Sequence, residues 1–165
     1  MPKVKLDRID RKILSGLQDD GRITNVDLAE RAGISAPPCL RRVRALERGG
    51  YIRGYHAHLD PERLGFEIVF FVLVGLESQA DARLRAFEAE MAEWPEVREC
   101  HMVRGGGDFL LKIVARNAGH ENTLTRDLTA LSGVERVTTL QVIRSSKVLP
   151  GVPIEGIPED AEVED

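Results

Sequence analysis

The sequence predicts an α+β protein in two parts, a helical head followed by a body in which strands and helices alternate. Three observations carry that prediction. Apolar residues recur at helical spacing through residues 1–50, a βαββαβ alternation begins near Phe66, and the two parts differ in the sign of their charge. Residues 1–60 hold 12 Lys/Arg against 8 Asp/Glu, whereas residues 61–165 hold 11 against 19, so the net charge of −4 conceals a basic head on an acidic body. Salt screening confines charge interactions to roughly 8–10 Å, so a polyanion would respond to the head and not to the total.

The head is read as three helices. Leu6, Ile9, Ile13 and Leu17 form one apolar stripe on a helix that starts at Asp7, its N-cap, and stops before Gly21. A second, shorter helix takes Thr24 or Asn25 as its cap, carries Val26, Leu28, Ala29 and Ala32, and ends at Gly33, suited to a left-handed backbone. Ile34 then turns inward and Ser35 opens a third helix. Pro37 and Pro38 fall in its first turn, where proline is tolerated because those N–H groups have no partner within the helix. Gly49 and Gly50 end it.

Leu40, Val43 and Leu46 or Glu47 are expected to edge the inward face of this third helix, leaving Arg41, Arg44 and Arg48 outward with Arg42 beside them. Arginines on a helix are most simply a solvated face. Two short helices joined by Ala32-Gly33-Ile34-Ser35 and followed by such a helix, however, match a winged-type helix-turn-helix whose last helix enters the major groove of double-stranded DNA. The expected DNA contacts are Ser35, Ala36, Pro37, Pro38, Arg41, Arg42, Arg44 and Arg48. Proline and alanine offer only apolar contact and arginine serves guanine or phosphate, so modest sequence preference is expected.

Residues 51–65 are expected to form a strand-like link, ending near Asp60-Pro61. His56 and His58 share one face of it, but no further ligand lies nearby, which favours two ordinary histidines over a metal site. The body, residues 66–147, begins with a strand from Ile68 to Leu76, a helix from Asp81 to Trp94 and a strand from Val97 to Val103. A second round follows: a strand from Phe109 to Ala115, a helix striped by Leu124, Leu128 and Leu131, and a strand from Val134 to Ile143. This order predicts a ferredoxin-like fold, a four-stranded antiparallel sheet with both helices on one face. The first strand is apolar on both sides, so the helix-free face needs a cover, and a homodimer packed sheet against sheet supplies one. A dimer would also set two recognition helices about 34 Å apart, one helical repeat of DNA.

Arg104-Gly105-Gly106-Gly107-Asp108 lies between the second and third strands. It reads either as a hairpin turn or as a ligand loop, in which exposed backbone N–H groups hold a carboxylate and Asp108 attracts an ammonium. Those are the two ends of an amino acid. No GxGxxG, P-loop, Cys-x-x-Cys or His-Glu-x-x-His pattern occurs, and the adjacent Cys100 and His101 would point to opposite faces of a strand. No enzyme, cofactor or metal is expected. Trp94 reads as core. No run approaches the ~20 apolar residues of a membrane span. The start of the chain lacks the apolar core of a secretory signal, and the cysteines, Cys39 and Cys100, are too few for a disulfide framework. A reducing cytoplasm, in association with the nucleoid, is the expected location. Residues 148–165, rich in Pro and Gly and without Lys or Arg, are expected to be an acidic mobile tail.

Leu6-Asp7-Arg8-Ile9-Asp10, Asp20-Gly21-Arg22-Ile23, Gly33-Ile34-Ser35, Pro38-Cys39-Leu40-Arg41-Arg42-Val43, Gly50-Tyr51-Ile52, Glu99-Cys100-His101 and Gly105 through Leu111 together resemble the Lrp/AsnC family over about residues 6–147, the leucine-responsive branch above all. The resemblance implies a DNA-binding transcription regulator without enzyme activity, whose dimers assemble into octamers or similar rings. It further implies an amino-acid effector held by the loop Arg104 to Asp108 and by Thr138, Thr139, Leu140 and Gln141 of the last strand. Many members carry Gly-Asp-Tyr-Asp or Gly-Asp-Phe-Asp in the loop. Here Gly106 and Gly107 replace the first acid and the aromatic, and Leu140 stands where leucine-responsive members tend to have an aromatic residue. Leucine or another apolar amino acid is the first expectation. The alternative is an architectural DNA-wrapping protein that answers to no ligand.

Overall fold

The computed structural model describes residues 6–154. The described residues divide into two compact units, one joining residues 6–58 to residues 147–154, the other comprising Leu59–Ser146.

In the first unit, α1 (Arg8–Asp19), α2 (Asn25–Ala32) and α3 (Ala36–Arg48) pack around Ile13, Leu28, Ala29, Ala32, Cys39 and Leu46. Each boundary has a local cause. Asp7 caps α1 by accepting from the N–H groups of Ile9 and Asp10, and Asp10 returns a bond to the Asp7 N–H, a reciprocal box that satisfies donors left open at a helix start. Thr24, the first of the two expected candidates, caps α2. Gly33 ends it at φ +78°, a left-handed setting that glycine takes without steric cost. Gly16 lets α2 come close to α1, since a Cβ there would stand 2.8 Å from Leu28 Cδ1.

Three expectations for this unit are corrected. Leu40 is not an inward residue but is 39% exposed; the buried positions of α3 are Cys39 and Leu46, with Arg42 between them on the same stripe. Residues 51–60 form no strand; among the described residues of this unit no other strand is present to accept the backbone hydrogen bonds of residues 51–58. Instead Tyr55 Oη donates to Glu47 Oε1 at 3.0 Å, tying this segment to the last turn of α3. Burial and that hydrogen bond push the Tyr55 phenol up to about 12. Third, the expected mobile tail begins as a docked strap. The Gln18 side-chain amide donates to the Val152 carbonyl at 2.9 Å and accepts from its N–H at 3.0 Å, fastening the chain to α1. Residues 155–165, the rest of that expected tail, lie outside the described residues.

The second unit is the expected ferredoxin-like βαββαβ fold. Its strands β1 (Ile68–Leu76), β2 (Val97–Met102), β3 (Phe109–Ala115) and β4 (Val134–Gln141) form an antiparallel sheet in the order β2-β3-β1-β4. Helices α4 (Asp81–Glu93) and α5 (Ala118–Thr129) bury Phe87, Met91, Leu124 and Leu128 against Phe70, Val72, Val74, Phe109, Leu111 and Ile113. Each such side chain contributes about 1.5–3 kcal/mol by leaving water. Trp94, expected in the core, packs half-buried against it. The register places Val69, Phe71 and Leu73 of β1 beside Leu110, Lys112 and Val114 of β3 on the opposite face.

Candidate functional site

The DNA-facing candidate starts from the turn between α2 and α3. Asn25 Nδ2 donates to the Ala36 carbonyl at 2.9 Å, so the first residue of α2 holds the first residue of α3. The sequence reading named Asn25 only as a possible cap. Ser35 caps α3 by position but makes no side-chain capping bond. The cause is local: an N-cap hydroxyl bonds the N–H of the second or third helical residue, and these are Pro37 and Pro38, which have none. The same prolines remove backbone N–H groups that a helix start otherwise presents to an anion.

Arg41, Arg44 and Arg48 are exposed and lie three and seven positions apart, forming one cationic row. Ala36 and Pro38 are half-buried and Pro37 is exposed. Arg42 is engaged elsewhere. Its Nη1 lies 2.7 Å from Asp7 Oδ2 and 2.8 Å from Asp10 Oδ1. Burial alone would raise the Asp7 carboxyl, but the Asp10 N–H and Arg42 outweigh it and hold the group below its ordinary value.

In the body, the glycine-rich turn is built rather than loose. Asp108 Oδ2 accepts from the Leu76 N–H and Oδ1 from Gln79 Nε2, each at 2.7 Å, so both oxygens of the expected ammonium ligand have partners within the chain. Gly107 packs against β1; a Cβ there would stand 2.8 Å from Leu73 Cγ and 2.9 Å from the Val74 carbonyl oxygen. Gly105, at φ +140°, takes a backbone setting that favours glycine. Arg136 of β4 was not anticipated. It lies opposite Gly75, whose missing side chain leaves it room, and its Nη2 donates to the Gly106 carbonyl at 2.6 Å. This bond joins the turn to the strand that carries Thr138, Thr139, Leu140 and Gln141. Thr138 pairs with Leu73, the residue against which Gly106 and Gly107 rest, whereas Gln141 pairs with Phe70 at the other end of β1. Thr139 pairs with the buried Val72 and is half-buried, and Leu140 is 55% exposed. The turn and the Thr138 end of β4 are therefore one locale, and Gln141 lies along the strand from it. Arg104 is exposed.

The helix-free sheet face combines Val69, Phe71, Leu73, Leu110, Val114 and Leu140 with a polar string, in which Glu99 takes Lys112 Nζ at 2.8 Å and His101 Nε2 at 3.2 Å. The Lys112 hydrogen bond, aided by His101 and against the effect of burial, holds the Glu99 carboxyl below its ordinary value.

Residues 6–53 match a family of winged helix-turn-helix DNA-binding domains, and residues 69–152 match the Lrp/AsnC ligand binding domain. The leucine-responsive regulatory protein of Rhizobium meliloti is 57% identical over 146 residues, which span 88% of this chain and 94% of the relative. The chain belongs to the Lrp/AsnC family. The Bkd operon transcriptional regulator of Pseudomonas aeruginosa is 40% identical, with 91% of this chain and 99% of that one covered. Among solved structures, a transcriptional regulator of Neisseria meningitidis in complex with L-Met superposes with a TM-score of 0.87 at 36% identity, covering 91% of this chain and 97% of that one. This Lrp/AsnC member is accordingly a DNA-binding transcription regulator with a ligand-binding domain, and the relatives named are regulators. In the Lrp/AsnC head described here, no wing strand forms among the described residues. No helix among them is long and apolar enough to cross a membrane.

Proposed function

We propose that this regulator couples double-stranded DNA binding through the Arg41, Arg44 and Arg48 row to an amino-acid effector seated at the glycine-rich turn, with no cofactor. The observation that carries the effector site is the Arg136 bond to the Gly106 carbonyl, which joins the turn to β4 and makes one locale of two separate stretches of sequence. Among the described residues, no turn hydrogen bond engages the N–H groups of Gly105, Gly106 or Gly107, leaving them to a carboxylate. Leucine or another apolar amino acid is the effector class, supported by the leucine-responsive relative and by the relative bound to L-Met. Gly106 and Gly107 supply no aromatic wall, and Leu140 supplies an aliphatic one. The helix-free sheet face is covered by a second copy, and these dimers assemble into an octamer or similar ring in the cytoplasm, on the nucleoid.

A second reading has one observation in its favour: Asp108 is already bonded through both oxygens, as it would be in a purely structural turn. On that reading the chain wraps DNA without regard to any ligand. Calorimetric titration of the full chain with each of the twenty amino acids, alongside mass measurement of the assembly, separates the two. Saturable heat for at least one apolar amino acid supports the effector reading. No heat for any of the twenty refutes it, and a monomer at micromolar concentration refutes the covered sheet.

A further inference from the structure

Arg42 stands among four arginines in eight residues, where sequence reasoning assigns it to DNA with the others. Its surroundings differ from theirs in kind. Cys39 and Leu46, three positions before it and four after, are 0% and 1% exposed, so Arg42 leaves α3 on the side turned into the head. There it meets the reciprocal cap of α1. Asp7 Oδ1 accepts the N–H groups of Ile9 and Asp10, Asp10 Oδ2 accepts the Asp7 N–H, and the two oxygens left over, Asp7 Oδ2 and Asp10 Oδ1, both accept from Arg42 Nη1. Every carboxylate oxygen of the pair is used. Asp10 is also 95% removed from solvent, with 5% exposure, so its charge relies on these partners.

The geometry points to Arg42 as a positioning residue, which locks α3 onto the N-terminus of α1 and so fixes the direction in which Arg41, Arg44 and Arg48 present their charge to DNA. Turning Arg42 outward to a phosphate would break both ion pairs and leave two neighbouring carboxylates, one of them buried, facing each other without a cation. Asp7 and Asp10 become part of the DNA-binding apparatus although they repel DNA. This assignment rests on α3 being the DNA-contacting helix.

The consequence runs against simple electrostatics. Removing a negative charge from a DNA-binding head ordinarily tightens binding, whereas Asp10→Asn here should loosen it. The test uses the full chain and a duplex selected from a random pool by the parental protein. Affinity is followed by fluorescence anisotropy across a salt series, and circular dichroism melting confirms that each variant is folded at the assay temperature. Arg41→Gln, the comparator, should make the slope of log affinity against log salt shallower by about 0.9, the loss of one phosphate contact. Arg42→Gln should weaken binding about fivefold or more with the parental slope retained. Asp10→Asn should weaken it comparably, and the double variant should be no weaker than the weaker single one, because both remove one shared interaction. Asp7→Asn keeps a side chain that caps equally well and removes only charge, so it should lose affinity without unfolding α1, which keeps the test open if Arg42→Gln fails to fold. A slope reduced by about 0.9 in Arg42→Gln, with Asp10→Asn and Asp7→Asn binding as tightly as the parent or tighter, would overturn the assignment. Unchanged affinity and slope on replacing Arg41, Arg44 and Arg48 together by Gln would instead sink the DNA-facing reading of α3, and the assignment with it.

Discussion

Gly107→Ala at the glycine-rich turn probes whether that turn is built by contact or only tolerated. The added Cβ would meet Leu73 Cγ at 2.8 Å and the Val74 carbonyl oxygen at 2.9 Å, and neither can swing away, since one is a branch point near its backbone and the other is backbone in a sheet. Relief requires the turn to lift by roughly 0.5–1 Å, and overpacking of this kind costs about 1–3 kcal/mol. For a unit the size of Leu59–Ser146 that lowers the melting temperature by about 4 °C for each kcal/mol at the least. Lifting the turn also pulls the Gly106 carbonyl from Arg136. Gly106→Ala is the control: its Cβ would meet only Leu73 Cδ2 at 3.4 Å, the free end of a flexible side chain. Calorimetric melting of both variants, followed by titration with whichever amino acid the parent binds, should show Gly107→Ala losing stability and affinity while Gly106→Ala keeps most of both. Equal behaviour of the two would refute the claim that close approach to β1 shapes the site.

Other outcomes follow from the head. Ser35→Ala should leave thermal stability within about 0.3 kcal/mol, in contrast to the usual N-cap loss of about 1 kcal/mol, while weakening DNA binding, because Pro37 and Pro38 deny Ser35 a capping partner. A melting loss of the usual size would contradict this. Tyr55, raised to about 12 first by burial and then by Glu47, contributes stability that is complete below pH 10 and lost as pH rises through 12. Ultraviolet titration of a Tyr51→Phe variant, in which Tyr55 is the remaining tyrosine, should find that high midpoint, and a midpoint near 10 would refute the contact with Glu47. Gln18→Ala should release the strap, seen as faster hydrogen exchange at the Val152 amide and a stability loss of about 1 kcal/mol; unchanged protection would show that the strap is held otherwise.

The body was legible because its periodicities are local. Short apolar runs mark β1 at Ile68–Leu76 and β3 at Phe109–Ala115, where the structure has them, and the leucine stripe places α5. The capping signals at Asp7 and Gly33 are equally short in range. What could not be read depends on partners distant in sequence. Arg42 looks like its neighbours until Asp7 and Asp10, 35 and 32 residues earlier, come beside it. Asp108 looks like a free acid until the Leu76 N–H and Gln79 close on it, and Arg136 carries no motif at all. Residues 51–60 have strand-like composition, but a strand is a property of two segments and composition reports on one. Val152 likewise gives no sign in sequence of its bond to Gln18. The missing clue at α3 was available in part: Cys39 and Leu46 define an apolar stripe, and Arg42 falls on it.

The most direct test titrates a selected duplex with the full chain in the presence and absence of each apolar amino acid, at fixed salt, for the parent and for a variant with Arg41, Arg44 and Arg48 replaced by Gln. The parent should bind with an affinity or stoichiometry that shifts several-fold on adding at least one of those amino acids, and the variant should lose binding under both conditions. Superimposable parental isotherms with and without every amino acid, or undiminished binding by the variant, would contradict the coupling of an amino-acid site to an arginine-bearing helix.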